Sequence, residues 1–340
     1  MSNDQTHSRP AFEWDLHELG PREGQELQPS AAAEKILRIT AGDGYPLAAT
    51  LFEAVKGNGV TVQINSAYAV PREYYAAYAR YLAAQGFTVL TYDYRGIGGS
   101  RTYGWHDDAP TLRDWGEHDV PAVIDWLKAR YPKQQLVHVG HSIGGQLVGL
   151  APNNHKVAAL LAISSQAAYW KLFDFPYNLL AWTWFHAVVP GVTFASAIVP
   201  ALRRNGFDAP RGAALQWARW GRNPHYISDE RGEPLRQHFH GYTGRVRLYH
   251  ITDDHEFAPR RAVEALAGYY ANAQVEVVHR TPADWHRKRI GHFGFFRASM
   301  PREAWRETAR WLASAAVPRM RAVKRPAIAV ENKIGEEAFA

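Results

Sequence analysis

The sequence predicts an α/β protein: a mostly parallel, eight-stranded sheet with helices on both faces and one inserted helical cap. Three observations predict this class. Apolar runs of strand length alternate with segments of helical period along most of the chain, the pattern of parallel strands joined by crossover helices. The alternation stops over residues 166–244 and then resumes. The 340 residues include no cysteine, so neither disulfides nor thiolate-bound metals organise the fold, and a cysteine nucleophile is excluded.

Residues 1–33 open the chain as a polar lead-in of net charge −4, in which Phe12 and Trp14 are the side chains suited to docking. No basic start followed by an apolar stretch is present, so no secretory signal is read and a cytoplasmic location is expected. Strands follow at 34–40 and 45–54. The turn signal Ala41-Gly42-Asp43-Gly44 between them makes a hairpin. Residues 60–65 form a third strand. Pro71 opens a helix over 71–86 that places Tyr74, Tyr78, Tyr81 and Leu82 on one face and stops at Gly86. Residues 87–92 are a buried strand. A helix over 115–131 carries Val120, Val123, Ile124 and Leu127 at helical spacing. Strand 136–140, helix 143–150 and strand 157–163 complete the first half. After the insertion come strand 246–251, helix 259–270, strand 275–279 and a final amphipathic helix over 301–315 with Trp305 and Leu312. The core is thus expected over 34–165 and 245–315, the cap over 166–244 and a loose tail over 316–340.

The formal net charge of +6 is modest and demands no polyanionic partner. The tail is basic but carries no aromatic platform for stacking bases, so no nucleic acid is expected. From 175 to 202 the chain has no Asp, Glu, Lys or Arg, a length able to span a bilayer. Pro176, Pro190, Gly191 and Pro200 interrupt it, and Asn178 and His186 lie inside it. The expected form is two short apolar helices joined at Pro190–Gly191, part of a lid and not an integral membrane span.

One string carries the chemistry: Gly140-His141-Ser142-Ile143-Gly144, set where a buried strand passes into a helix. A side chain raised on so sharp a turn needs neighbours without Cβ, because the backbone doubles back on itself. Ser142 is left at the top of the sheet near a helix N-terminus, where developing negative charge is favoured. A serine needs a base, and the base needs an orienting acid. In this architecture they follow in the order acid, then histidine. The strand 246–251 ends in Thr252-Asp253-Asp254, at the edge of the sheet where such a carboxylate belongs. Asp254 is preferred and Asp253 stays open, since spacing to Pro259 does not decide between them. His292 is the expected base. Gly291 and Gly294 allow a tight loop around it, and Phe293, Phe295 and Phe296 shield it. An oxyanion hole needs two convergent donors. The Ile143 amide is one, and the other comes from the loop after the third strand, with Ala67 favoured and Ser66 and Tyr68 as alternatives.

With these residues in place the chain resembles the α/β-hydrolase superfamily. The resemblance covers residues 34–315. It rests on the Gly140–Gly144 elbow, on Asp93-Tyr-Arg-Gly-Ile-Gly-Gly-Ser100, on Asp254, and on Gly291-His292. It is strongest to bacterial serine hydrolases related to serine aminopeptidases and monoacylglycerol lipases. One departure stands out: the family's usual His-Gly after the third strand is replaced here by Asn65-Ser66-Ala67, which puts the second oxyanion donor in question. The 93–100 string fails as a dinucleotide motif because Arg101 holds the third glycine position.

The expected activity is hydrolysis of a carboxylic ester through an acyl-enzyme, with no metal or organic cofactor. Amide or peptide hydrolysis and acyl transfer use the same triad, and a ligand-binding protein without turnover is a third reading. An aspartate nucleophile, as epoxide hydrolysis or dehalogenation requires, is absent where Ser142 stands. Five of the twelve tryptophans, Trp170, Trp182, Trp184, Trp217 and Trp220, fall in the insertion. They suit either a small core of its own or the wall of a pocket for an apolar or aromatic acyl substrate.

Overall fold

The computed structural model describes residues 33–102, 110–195, 198–202 and 207–316. Nearly all of the expected lead-in and tail, with Phe12 and Trp14, lies outside the described residues, as do Arg203 and Arg204 of the insertion.

Strands β1 (Ala33–Thr40) and β2 (Pro46–Glu53) form the expected hairpin, in register from Ala33 opposite Glu53 to Thr40 opposite Pro46. β3 (Val60–Asn65), β4 (Thr88–Tyr92), β5 (Gln135–His141) and β6 (Ala159–Ile163) follow. A separate two-stranded antiparallel pair, β7 (Ile198–Leu202) and β8 (Phe207–Pro210), lies in the insertion. β9 (Arg245–Ile251) and β10 (Gln274–Arg280) then return to the main sheet. That sheet has eight strands in the order β1-β2-β4-β3-β5-β6-β9-β10. Pairing is antiparallel at β1–β2 and β2–β4 and parallel everywhere else. Every residue of β3, β4 and β6 is buried, which is why these strands read as continuous apolar runs. The edge strands carry charge instead: Lys35 of β1 pairs with Glu53, and Glu276 of β10 with Arg247 at 2.7 Å. Such charges blunt an open edge against pairing with another chain.

Successive strand residues serve opposite faces. Val62, Val89, Val137 and Leu161 pack against α1 (Ala76–Ala84) and α10 (Arg302–Ala316) through Tyr78, Leu82, Trp305 and Leu312. Their neighbours Leu90, Leu136 and Leu160 meet Val123, Leu127, Leu147, Val263 and Leu266 on the other face. Those side chains come from α3 (Val120–Arg130), α4 (Ile143–Leu147) and α9 (Arg260–Ala267). Burial of each such side chain contributes about 1.5–3 kcal/mol.

Two helices of the core begin differently from expectation. The helix expected over 71–86 is a 3-10 turn, Arg72–Tyr75, running into α1, and Tyr75 is fully buried in it. The helix expected from 115 starts earlier, at α2 (Leu112–Asp114). There Thr111 and Asp114 close a capping box that sits ahead of the apolar period. A π turn, Trp115–Asp119, joins α2 to α3.

The Asp93–Ser100 string is a structural staple. Asp93 accepts the Arg72 amide at 2.7 Å and the Gly99 amide at 2.9 Å, and pairs with the Arg72 guanidinium. Ser100 Oγ donates to the Asp93 carbonyl at 2.7 Å and accepts the Ala48 amide at 2.8 Å. Arg95 bridges buried Asp119 at 2.7 Å and Asp43 at 2.6 Å.

Between β6 and β9 the chain leaves the sheet. The two helices expected to meet at Pro190–Gly191 are instead one unbroken helix. It comprises α5 (Tyr177–Thr183), a π turn over Trp184–Val188 and α6 (Val189–Ala195). The π turn explains the continuity. Val189 donates five residues back to Trp184, and this wider turn makes room for the Pro190 ring. The segment expected to be all helical also contains the β7–β8 pair. It ends with α7 (Arg211–Arg222) and α8 (Gln237–Gly241). Phe175, Leu180 and Phe194 of this excursion are 77%, 61% and 90% exposed. Among the described residues no helix is long and apolar enough to cross a membrane.

Candidate active site

The site grows from the end of β5. Ser142 adopts φ 53°, ψ −120°, a strained conformation for a residue with a side chain. Two glycines make it possible. A Cβ on Gly140 would lie 2.3 Å from the Gly145 Cα, and one on Gly144 would lie 2.3 Å from the Asn65 carbonyl oxygen. The second contact also shows how closely the end of β3 approaches the elbow. Gly145 is equally crowded: a Cβ there would lie 2.2 Å from Ser165 Oγ, a constraint the five-residue motif does not include. The turn is pinned by the Ser142 amide donating to the Ile163 carbonyl at 3.0 Å.

At the end of β9 the two aspartates separate. Asp254 Oδ2 lies 2.7 Å from His292 Nδ1, and both residues are buried. A carboxylate only accepts, so Nδ1 carries a proton and Nε2 is the ring nitrogen that Asp254 does not engage. Asp253 instead accepts the Ile290 amide at 2.8 Å and the Gly291 amide at 3.0 Å. It holds the backbone of the loop whose next residue is His292. Of the three phenylalanines expected to shield it, Phe293 packs edge-on to His292 at 4.9 Å, while Phe295 packs against Trp285 and Phe296 against His141. Phe257, unforeseen, covers His292 at 4.8 Å.

His141, the residue between Gly140 and Ser142, ties the elbow to the loop that carries His292. The His141 and His292 rings are 5.2 Å apart, and His141 Nε2 is 2.8 Å from the His292 carbonyl. Burial, with the neighbouring His292 ring, pushes His141 well below the ordinary imidazole range. Neither His141 nor Tyr75, which contacts it, was singled out by the sequence motif. The available signal was a large polar residue at the variable position beside the serine.

The amide of Ala67, the favoured second oxyanion donor, donates to the buried Tyr75 hydroxyl at 2.7 Å. Of the alternatives, Tyr68 is the next residue along. Its ring packs on Trp217 of the excursion at 4.9 Å and near Trp115 at 6.0 Å. Burial raises the Tyr68 phenol above its ordinary range, and its hydroxyl has no partner among the described residues.

The excursion's tryptophans divide. Trp220 is fully buried and bonds Ser228 within the excursion, Trp182 is 44% exposed, and Trp217 faces the loop after β3. Tyr226 ties the excursion to α4 through Gln146 at 2.9 Å. Arg236 is engaged by the His225 and Ile227 carbonyls and Arg219 by Glu230. Among the described residues no group of three or more His, Cys, Asp or Glu is gathered as a metal site requires.

A sheet of this order, with a serine raised at the turn out of its fifth strand, is the α/β-hydrolase fold. The family model described as serine aminopeptidase, S33, matches residues 62–233, just over half of the chain, and the chain belongs to that family. The match includes the elbow and stops short of Asp254 and His292. By fold the chain is similar to an esterase from Pyrococcus furiosus, with TM-score 0.55 and 16% identity over 91% of this chain and 97% of that one. It is similar to an esterase from Exiguobacterium antarcticum, with TM-score 0.52 and 17% identity over 82% and 98%. It is also similar to Est1E from Butyrivibrio proteoclasticus with ferulic acid bound, with TM-score 0.53 and 17% identity over 82% and 96%. No curated protein matches the chain in sequence.

Proposed function

We propose that this protein is a serine hydrolase that cleaves a carboxylic ester through an acyl-enzyme. The observation that carries the reading is the buried Asp254–His292 pair at 2.7 Å, set beside a serine on a strained strand-to-helix turn. Ser142 attacks the acyl carbonyl. His292 takes its proton at Nε2 and returns it to the leaving alcohol. Asp254 fixes the ring's tautomer and stabilises the imidazolium. Water then repeats the sequence and frees the acid. The Ile143 amide and, with Ala67 engaged by Tyr75, the Tyr68 amide serve as the oxyanion donors. Residues 166–244 act as a cap over the core of 34–165 and 245–315. Trp217 and Tyr68 at their junction suit an apolar or aromatic acyl group.

Membership in a serine aminopeptidase family favours one second reading, the hydrolysis of an amide or peptide by the same residues. Turnover of paired p-nitrophenyl esters and p-nitroanilides of equal acyl length separates the two. Ser142→Ala is expected to abolish turnover of short p-nitrophenyl esters. Undiminished activity in that variant removes the assignment.

A further inference from the structure

A chain of buried hydrogen bonds runs from the loop after β3 to the loop that carries His292. The Ala67 amide donates to Tyr75 Oη at 2.7 Å. Tyr75 Oη lies 2.8 Å from His141 Nδ1. His141 Nε2 lies 2.8 Å from the His292 carbonyl oxygen. Tyr75 and His141 are both fully buried. Chemistry fixes the directions. A carbonyl only accepts, so His141 Nε2 carries the proton. Burial keeps the ring neutral, so Nδ1 is an acceptor. Tyr75 therefore donates to Nδ1 and accepts from Ala67. A second strap runs beside the first: the Tyr74 hydroxyl donates to the Phe293 carbonyl, one residue past the base. The two tyrosines pack edge to face at 5.2 Å, and Phe296 closes on His141 at 5.0 Å.

We propose that Tyr75 and His141 are positioning residues, which lock the loop after β3 and the backbone of His292 into one register about Ser142. The proposal rests on the triad reading above. Neither side chain is assigned contact with a reacting atom. The nucleophile, the base and the second oxyanion donor lie on three segments remote in sequence, and productive catalysis requires their mutual placement to a fraction of an ångström. His141 leaves the chain at the elbow itself and reaches the other two segments through its two ring nitrogens. A neutral ring there also avoids a second positive charge beside the imidazolium formed on His292.

Tyr75→Phe tests this by removing one oxygen while keeping the ring. In steady-state hydrolysis of a short p-nitrophenyl ester, kcat is expected to fall on the order of 10- to 100-fold with KM changed by less than about threefold. The acidic limb of the kcat–pH profile is expected to shift. His141→Gln, which keeps a donor for the His292 carbonyl, is expected to retain more activity than His141→Ala. A lowered thermal midpoint with kcat per folded molecule and the pH limb unchanged overturns the proposal. Should Tyr75→Phe fail to fold, nitrogen-15 histidine spectra of the wild type decide. His141 held as the neutral Nε2–H tautomer from about pH 5 to 9 supports the proposal, and a titrating or Nδ1–H form overturns it. Wild-type protein that neither turns over esters nor reacts with a fluorophosphonate removes the hydrolase reading and the proposal with it. Active wild type with an unperturbed Tyr75→Phe removes the positioning role alone.

Discussion

Two adjacent aspartates at the end of β9 divide one task. Asp254 holds the His292 ring, and Asp253 holds the backbone of the loop that presents it. Kinetics of the two asparagine variants should differ sharply. Asp254→Asn is expected to lower kcat by on the order of 10^3- to 10^4-fold, since an amide no longer fixes the tautomer. Asp253→Asn keeps one acceptor for the loop amides and is expected to stay within about tenfold of wild type. Equal losses would contradict the division. The sequence left this pair open for a physical reason: what separates them is which backbone amides arrive from residues 290–291, and spacing to Pro259 carries none of that. Ala67 poses the same difficulty. A small side chain predicts close approach, but it says nothing of where the amide points, and here a tyrosine eight residues on has captured it. The elbow glycines were legible because their constraint is local and steric.

At the scale of elements, both π turns have the same sequence context. Trp115–Asp119 is followed by Val120-Pro121, and Trp184–Val188 by Val189-Pro190. In each the valine amide donates five residues back to the tryptophan carbonyl, and the widened turn accommodates the proline that follows. The rule that proline breaks a helix therefore misplaced a boundary at Pro190. The insertion's internal structure was hard to read for a further reason: a stretch apolar on all sides has no period from which to assign a face. Its packing makes a direct prediction. A Cβ on Gly221 of α7 would lie 2.4 Å from the Phe185 ring in the neighbouring π turn. Gly221→Ala is expected to push the two helices apart and to destabilise the fold by about 1–3 kcal/mol, measured by urea denaturation. A stabilised variant would mean that this contact is not close-packed.

For the molecule as a whole, the alternation of strand and helix periods fixed the sheet order's ingredients, and the interruption over 166–244 marked where the chain leaves the sheet. Buried histidines were not legible, because a histidine in a strand run has no periodic signature. Burial pushes His138 down to about 3 and, with His279 beside it, His250 down to about 4, from an ordinary value of 6.5. The fold keeps both rings neutral, while the unfolded chain protonates them below about pH 6.5. The stability tied to them is present above that pH and is lost as pH falls toward 4 and 3. Each contributes a slope of about 1.4 kcal/mol per pH unit within its window. Asp93 and Asp119, raised by burial, act in the opposite sense but equally in any histidine variant. His138→Gln is therefore expected to flatten the acid slope of unfolding free energy by about 1.4 kcal/mol per pH unit between about pH 6 and 4. Parallel slopes would show that His138 protonates freely in the fold.

The central claim is that Ser142 is a nucleophile activated by His292 and Asp254. Intact-protein and peptide mass spectrometry after reaction with a fluorophosphonate tests it most directly. The account predicts a single adduct on Ser142, absent in Ser142→Ala and formed far more slowly in His292→Ala. Folded wild-type protein that takes up no adduct, or label that persists undiminished in Ser142→Ala, would contradict it.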